Sequence, residues 1–437
     1  MMNRNLVPMT QLIERISMGP FGSDIKTECF VNAGVPVLNG GNLTTIRMND
    51  DSFNFVTKEK ANSLSKSIAR RGDIVVTHRG TLGQLSYIPE DSQYEEYLIS
   101  QSQFCVTLNT DLVDPIYFAY YFHSSEGQKR LLSFANYVGV PALASATTNF
   151  KNLEFPLISL GEQKEIVNKI LCIENKIRNN TSICSDLESM AKLLYDYWFM
   201  QFDFPDENGR PYKSSGGKMV WNEELKREIP EGWKVSRIGD LCKISRGVSY
   251  TTANLKSDGT PIISLASINR KGEYIPEGIK YYSGKYDESK VLKPYDAIMC
   301  NTDMTQEKEI VAKIILVPDI FGESPILSTH HISHLIFDDE IYKVYVCLTT
   351  QTKWFHNHIK GFSSGTNVLG LDSDGFKNLR LLIPTNDVLT KFNKIIMDNE
   401  KCKSNLITEN QELASLRDFL LPMLMNGQIK IEDVKAS

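Results

Sequence analysis

The residues best suited to chemistry in this sequence are the histidines of the run Thr329–His334, THHISH: His330, His331 and His334. Closely spaced imidazoles could ligate zinc, but a stable site needs further acidic or thiolate ligands on the same face, and an HExxH arrangement is absent. Loop or strand histidines that are solvated, or that touch phosphate or base edges, are the expectation. Ser133 and Ser363 have no local partners that would make either a nucleophile, and no carboxylate pair stands out in a glycine-bounded stretch. No GxxxxGK[ST] loop is present to cradle a nucleotide's phosphates.

The tetrapeptide DPIY (Asp114–Tyr117) has a superficial likeness to the DPPY motif with which amino-group DNA methyltransferases hold a flipped base. Ile116 stands where the second proline should be, and no glycine-rich cofactor loop follows a preceding strand. Asp114 and Pro115 therefore read as the cap and first turn of a helix running toward Ala135. The eight cysteines form no CxxC pair, which favours buried reduced thiols over disulfides or zinc; Cys172, Cys184 and Cys402 fall in helical patterns. The chain is expected to catalyse nothing by itself and to hold no cofactor.

What positions these residues is a fold written twice. FKNLEFPLISLGEQKEIVNKI (Phe150 to Ile170) opens one long helical stretch and FKNLRLLIPTNDVLTKFNKII (Phe376 to Ile396) opens another. Each follows short β-like runs broken by glycine turns. GVPVLNGGNL (Gly34 to Leu43) is echoed by GTPIISLASI (Gly259 to Ile268), and GDIVVTHRG (Gly72 to Gly80) by YDAIMCNTD (Tyr295 to Asp303). Framework repeats while the intervening residues differ, the arrangement expected of two sites that share a fold and read different targets. Two similar surfaces suit ligands that come in pairs, duplex DNA among them.

The helical stretches carry a heptad. In the first, Ile166, Ile170, Ile173, Ile177, Asn180, Cys184, Leu187, Ala191, Leu194 and Trp198 alternate spacings of four and three; in the second, Val388, Phe392, Ile395, Asn399, Cys402, Leu406, Glu409, Leu413, Leu416 and Leu420 do so. Helices of this size, about 35 residues, are about 50 Å long. Asn180, Asn399 and Glu409 interrupt the seam, which costs stability but fixes register, so the two helices are expected to pair with each other. Tyr195, Trp198 and Phe199 end the first helix, and Phe419, Leu420, Leu424 and Met425 the second. Such residues suit internal packing or partner docking equally. Between the repeats, Phe202 to Trp233 is rich in turn formers and charge and reads as a surface connector.

The 437 residues suffice for two or three domains. The fold class is α+β: two strand-rich mixed α/β domains separated by two long antiparallel helices forming a coiled-coil spacer. The segments are 1–160, the first domain; 161–201, the first helix; 202–230, the connector; 231–386, the second domain; 387–426, the second helix; and 427–437, a tail. No apolar stretch is long enough to cross a membrane and the N-terminus has no signal-peptide pattern, so a cytoplasmic chain is expected. The net charge of -5 argues against a non-specific polyanion binder but allows a sequence reader with a local basic face.

Taken together, SMGPFGSDIKTECFVNAGVPVLNGGNLT (Ser17 to Thr44), RRGDIVVTHRGTLGQLSYIPE (Arg70 to Glu90), IPEGWKVSRIGDLCKISRG (Ile229 to Gly247) and ENQELASLRDFLLPMLMNGQI (Glu409 to Ile429) resemble the specificity subunits of type I restriction-modification systems over essentially the whole chain. The resemblance implies that each strand-rich domain is a target recognition domain for one half of a split, asymmetric DNA site. The helices would then set the number of unread base pairs and dock two copies of an adenine-N6 methyltransferase subunit, which binds S-adenosylmethionine, with ATP-driven restriction subunits joining that core. A purely protein-binding scaffold, or a DNA-modifying enzyme in its own right, are the alternatives.

Base reading needs donors and acceptors on turns between strands. In the first repeat these are Lys26, Asn39, Asn42, His78, Arg79, Thr81 and Tyr137. In the second they are Thr251, Ser264, Asn269, Arg270, Asn301, Thr302, Ser364, Thr366 and Asn367. Arg79 and Arg270 stand out because they lie in short polar turns between apolar runs.

Overall fold

The computed structural model describes residues 5–22, 24–305, 307–365, 368–425 and 428. Thr366 and Asn367 lie outside the described residues. By contacts the chain divides into one unit comprising Met1–Asn175 and Leu413–Ser437, and another comprising Lys176–Glu412.

In the first unit, an antiparallel four-stranded sheet runs in the order Ile13–Met18, Gln103–Leu108, Ile74–Thr77, Leu85–Tyr87. In the second unit Cys242–Arg246, Ile332–Phe337, Ala297–Cys300 and Ile314–Leu316 repeat that order and those pairings. Ile74–Thr77 and Ala297–Cys300 are buried along their whole length. Strands covered on both faces need an apolar run, and Ile74–Val76 and Ala297–Cys300 supply it, with the buried Thr77 hydroxyl donating to Gln84 Oε1 at 3.1 Å. A second sheet accompanies each: five strands from Phe30–Val31 to Ile68–Arg70 in the first unit, four from Leu255–Lys256 to Leu327–Ser328 in the second. The pairs Asn5–Pro8 with Glu154–Leu157 and Lys234–Arg237 with Arg380–Ile383 correspond as well.

The Asp114 carboxylate accepts from the backbone of Ile116 at 2.8 Å and Tyr117 at 3.1 Å, capping a helix whose first residue is Pro115. That helix is shorter than its sequence suggests: it ends at His123, and Ser124 caps a separate helix, Ser125–Leu131. The segment read as a surface connector is also more ordered, with a hairpin of Met219–Asn222 against Arg227–Pro230. Phe204 is buried between Tyr212 and Trp233, its ring centroid 4.6 and 5.3 Å from theirs.

The long helices span Leu160–Tyr195, 36 residues, and Asn386–Met425, 40 residues. The first starts on a capping box, with Ser159 Oγ accepting from Glu162 N at 3.3 Å while the Glu162 carboxylate accepts from Ser159 N at 3.1 Å. In the first unit, Ile166, Val167 and Ile170 of the first helix share a core with Leu420, Leu424 and Met425 of the second. In the second unit, Ala191, Tyr195, Trp198 and Phe199 share one with Val388, Leu389, Phe392 and Ile396.

Within the second unit the helix pair is antiparallel and its seam is polar. Lys176 meets Glu409 at 3.3 Å, Asn180 donates to Glu409 at 2.7 Å and Asn410 at 3.0 Å, and Glu188 meets Lys403 at 2.6 Å. The seam of the second helix differs from the heptad expected of it. Val388, Phe392 and Leu420 are buried as expected, but Ile395, Cys402 and Leu416 of that heptad are exposed, whereas Ile396, Ser404 and Leu424 outside it are buried; Phe419 is exposed. Beyond Phe392 the buried stripe is displaced because Lys403 and Asn410 take inward positions, paired with groups on the facing helix. Asn180 is buried as expected of a register-fixing residue; Ile173, Ile177, Leu187, Leu194, Asn399, Leu406 and Leu413 are half-buried. Cys172 and Cys402 are exposed, while Cys105, Cys242, Cys300 and Cys347 are buried.

Candidate nucleic-acid interface

Matching backbone hydrogen bonds fix which residues of the two units occupy the same place. His78 N donates to Ser102 O at 2.9 Å and Asn301 N to His331 O at 2.8 Å; Leu143 N donates to His78 O and Leu371 N to Asn301 O, both at 2.8 Å. His78 therefore corresponds to Asn301, Arg79 to Thr302, Gln101 to His330 and Ser102 to His331. Gly19 and Gly247 correspond too, donating to Gln103 O at 2.8 Å and Ile332 O at 3.0 Å. A Cβ on Gly19 would lie 1.9 Å from Ser100 O, and one on Gly247 2.3 Å from Ser328 O. Only glycine lets these strand ends close against the next loop. The frame is thus the same in both units, while the side chains it presents are different.

In the first unit the frame presents an exposed arginine beside an apolar tip. Arg79 bridges to Ala142, and Gly80 N donates to Pro141 O at 2.9 Å, which ties the Arg79–Thr81 turn to the hairpin Ala135–Asn136/Ala142–Leu143. The hairpin's tip carries Tyr137 and Val138, 65% and 88% exposed, and exposed Val140; Phe21 is exposed on the loop after Gly19. A guanidinium can reach phosphate or the O6 and N7 of guanine, and aromatic or apolar tips can stack on bases or wedge between them. His78 Nε2 lies 3.1 Å from Gln101 O, and burial lowers its pKa against the pull of that carbonyl. Thr81 and Lys26 are exposed.

Asn39 is exposed but its Oδ1 accepts from Gly41 N at 2.8 Å. Asn42 cannot read a base: it is buried, its Oδ1 accepts from Asn39 N, and its Nδ2 donates to Asn49 O and Asp51 O.

In the second unit the frame presents imidazoles. Thr302 Oγ1 and His331 Nδ1 lie 3.0 Å apart, the His330 and His331 rings 4.0 Å apart, and Tyr250 lies 5.9 Å from His330. Burial, then the neighbouring His330, lowers the pKa of His331. Asn301 is buried, donating weakly to His330 O at 3.4 Å. Ser364 is exposed on the hairpin strand Ser363–Ser364, which pairs with Leu369–Leu371.

Three candidates of this unit prove to be structural. Ser264 is buried, its backbone N bonded to Ser267 Oγ at 3.2 Å. Asn269 holds its own turn, donating to Glu273 and accepting from Lys271 N and Glu273 N. The Thr251 hydroxyl and backbone both donate to Asn254 Oδ1. Arg270 is exposed but sits in the Asn269–Glu273 turn, paired with Glu309 at 3.2 Å. His334 belongs to the sheet: its Nε2 lies 3.4 Å from Asp296, where the first unit sets Cys105 and Arg15 on Asp73 at 3.3 and 3.0 Å. Among the described residues no group of three or more His, Cys, Asp and Glu is placed to hold a metal.

Residues 24–189 and 230–410 each match the type I restriction modification DNA specificity domain. The chain belongs to that family. As a member of the DNA specificity family it is similar to the type I restriction enzyme MjaIX specificity subunit of Methanocaldococcus jannaschii, 24% identical over 389 residues, covering 87% of this chain and 82% of the relative. It is similar also to the HindI specificity subunit of Haemophilus influenzae, 22% identical over 427 residues, covering 84% of this chain and 88% of the relative. The crystal structure of a type I restriction-modification S subunit from M. genitalium shares its fold, with a TM-score of 0.55, 16% identity and 97% of each chain covered.

A second surface of this specificity chain lies on its helices. Tyr195, Trp198 and Phe199 are packed inside the second unit, with Tyr195 Oη 2.9 Å from Thr349 Oγ1 and the Phe199 ring 4.7 Å from that of Phe392. Leu420, Leu424 and Met425 are packed inside the first. Exposed apolar residues on the first helix include Ile183, Met190 and Leu193, and on the second Ile395, Leu416 and Phe419. With Phe150 aligned on Phe376, Met190 falls on Leu416 and Leu193 on Phe419, so each repeat exposes an apolar i, i+3 pair at the same positions. Among the described residues no helix is long and apolar enough to cross a membrane.

Proposed function

We propose that the two units read the two halves of a bipartite, asymmetric DNA site for a type I restriction-modification complex, in which this chain is the DNA sequence-recognition subunit. Residues 1–160 and 231–386 are the recognition domains in this reading. The observation that carries it is the common frame with unlike side chains: Arg79, Gln101 and Ser102 in one unit, Thr302, His330 and His331 in the other. One fold offering two chemistries reads two different sequences. The chain itself is the non-catalytic specificity subunit. Methyl transfer, using S-adenosylmethionine, and ATP-dependent cleavage belong to its methyltransferase and restriction subunits.

Two methyltransferase copies dock here, one on each exposed pair, Met190–Leu193 and Leu416–Phe419. Their duplication at matching repeat positions supports two like partners, since equivalent surfaces take equivalent occupants. The acidic balance of the chain fits a complex in which partners supply much of the phosphate neutralisation. Methylation mapping of DNA from cells coexpressing the chain with its cognate methyltransferase subunit tests the assignment. A split asymmetric motif dependent on this chain is expected; an unchanged methylome with the complex assembled refutes it.

A further inference from the structure

We propose that His331, oriented by Thr302, is a specificity-determining residue for the half-site read by the second unit. The inference rests on the DNA-reading function proposed above and names the atom that does the reading. Its ground is the geometry of the imidazole. With Nδ1 3.0 Å from Thr302 Oγ1 and the ring 4.0 Å from that of His330, His331 has one nitrogen engaged and one face covered. Nε2 is the remaining polar atom. With the Thr302 hydroxyl as donor to Nδ1, the proton sits on Nε2, which donates to purine N7, guanine O6 or thymine O4; in the other tautomer Nδ1 donates to Thr302 and Nε2 accepts from adenine N6 or cytosine N4.

Three observations support this role. His334 is held on Asp296 within the sheet, whereas His331 is half-buried at the end of the frame and bonded to a side chain of the facing loop. The lowered pKa of His331 keeps the ring neutral, which suits a directional hydrogen bond better than a phosphate contact. The corresponding residue of the first unit is Ser102, whose hydroxyl lies 3.1 Å from that of Ser100. A position that kept the frame intact would have no need of a different residue in each repeat; a reading position would.

The test uses the full chain assembled with its methyltransferase, and two substitutions: His331→Ala, which removes the imidazole, and Thr302→Val, which keeps the volume and frees the ring. Thermal melting establishes that each variant is folded. The methylated motif and the affinity for a library of duplexes varied through both half-sites are then compared with the parent. The expected result is about a tenfold loss of discrimination at one base pair of one half-site, with the other half-site and the salt dependence of binding unchanged. An unchanged motif in both folded variants overturns the inference, and so does a weakening uniform over all sequences, which marks a phosphate or packing role. If His331→Ala does not fold, the Thr302→Val result alone decides. A parent complex that assembles but shows no motif overturns the DNA-reading assignment itself, and this inference with it.

Discussion

Asn180 of the first long helix donates through Nδ2 to the Glu409 carboxylate of the second at 2.7 Å, and Lys176 closes on the same carboxylate at 3.3 Å. Polar groups at a helix seam are paired only in one register, so this contact selects against sliding of one helix along the other. Asn180→Ala should lower stability by about 1–2 kcal/mol, because the partners on the facing helix lose a buried donor. A double-mutant cycle with Glu409→Ala, read by denaturant melting of the full chain, should give a coupling of at least about 0.5 kcal/mol; additive effects would show the contact to be incidental.

The Lys403 ammonium lies between Glu188 at 2.6 Å and Glu400 at 2.9 Å, all three side chains largely buried. Burial alone would lower the lysine's pKa, but Glu400 and Glu188 outweigh it and raise it. Lys403→Ala leaves two carboxylates facing each other without a cation and should cost about 3–5 kcal/mol, seen as a large fall in melting temperature at neutral pH. A small fall would mean that water already reaches the cluster.

Two carboxylates on one ammonium leave an excess negative charge, and Glu188 bears its consequence. Burial first, then Glu400 and Glu273, push its pKa above the ordinary 4.5 despite Lys403. A carboxyl whose folded pKa lies above its unfolded value stabilises the fold below the unfolded value and loses that contribution as pH rises through the folded one. Charged Glu188 therefore opposes folding at neutral pH. Glu188→Gln should melt higher than the parent at pH 7, with the difference shrinking to nothing as pH falls below 4.5; a variant that melts lower at pH 7 contradicts this.

The seam also shows what a sequence can and cannot say about such a helix. Ile166, Ile170 and Ala191 were legible as core because their partners are apolar. On the second helix Lys403 and Asn410 face inward, where their partners satisfy them, while Leu416 and Phe419 face outward. No heptad count on one chain distinguishes an apolar residue that packs internally from one awaiting another subunit. The recognition frame was legible through its glycines and its duplicated runs, and Arg79 and Thr302 were placed on it. Asn42, Ser264 and Asn269 look like base readers in sequence because turn formers and base readers draw on the same polar residues; the structure spends those groups on their own backbone. Val138 and Phe21 carry no distinguishing signal, since exposed apolar tips look like core in sequence. The signal for His331 is the THHISH cluster, whose sequence suits solvated histidines or phosphate and base contacts better than a metal site but does not single out one of its three imidazoles.

Arg79 should contribute to the half-site that His331 does not read. Arg79→Ala in the assembled complex is expected to weaken specific binding by about 1–3 kcal/mol and to relax preference at one base pair of that half. Affinities measured over a range of salt separate this from a phosphate contact: loss of one phosphate contact flattens the log–log salt slope by about 1 and leaves sequence preference intact.

The paired apolar residues of the helices give the most direct prediction about assembly. Leu193 and Phe419 are 69% and 59% exposed and occupy the same position in the two repeats. A glutamate there disturbs little in the isolated chain, since neither side chain is part of a core. At a protein interface it buries an unpaired charge, which costs several kcal/mol. Leu193→Glu and Phe419→Glu should each reduce the bound methyltransferase from two copies to one, and the double variant should bind none, by native mass spectrometry. The single variants separate the sites further: each complex keeps one methyltransferase, so hemimethylation of one strand of the target should persist while the other is lost. Two copies bound to the double variant would place the methyltransferases elsewhere on the chain.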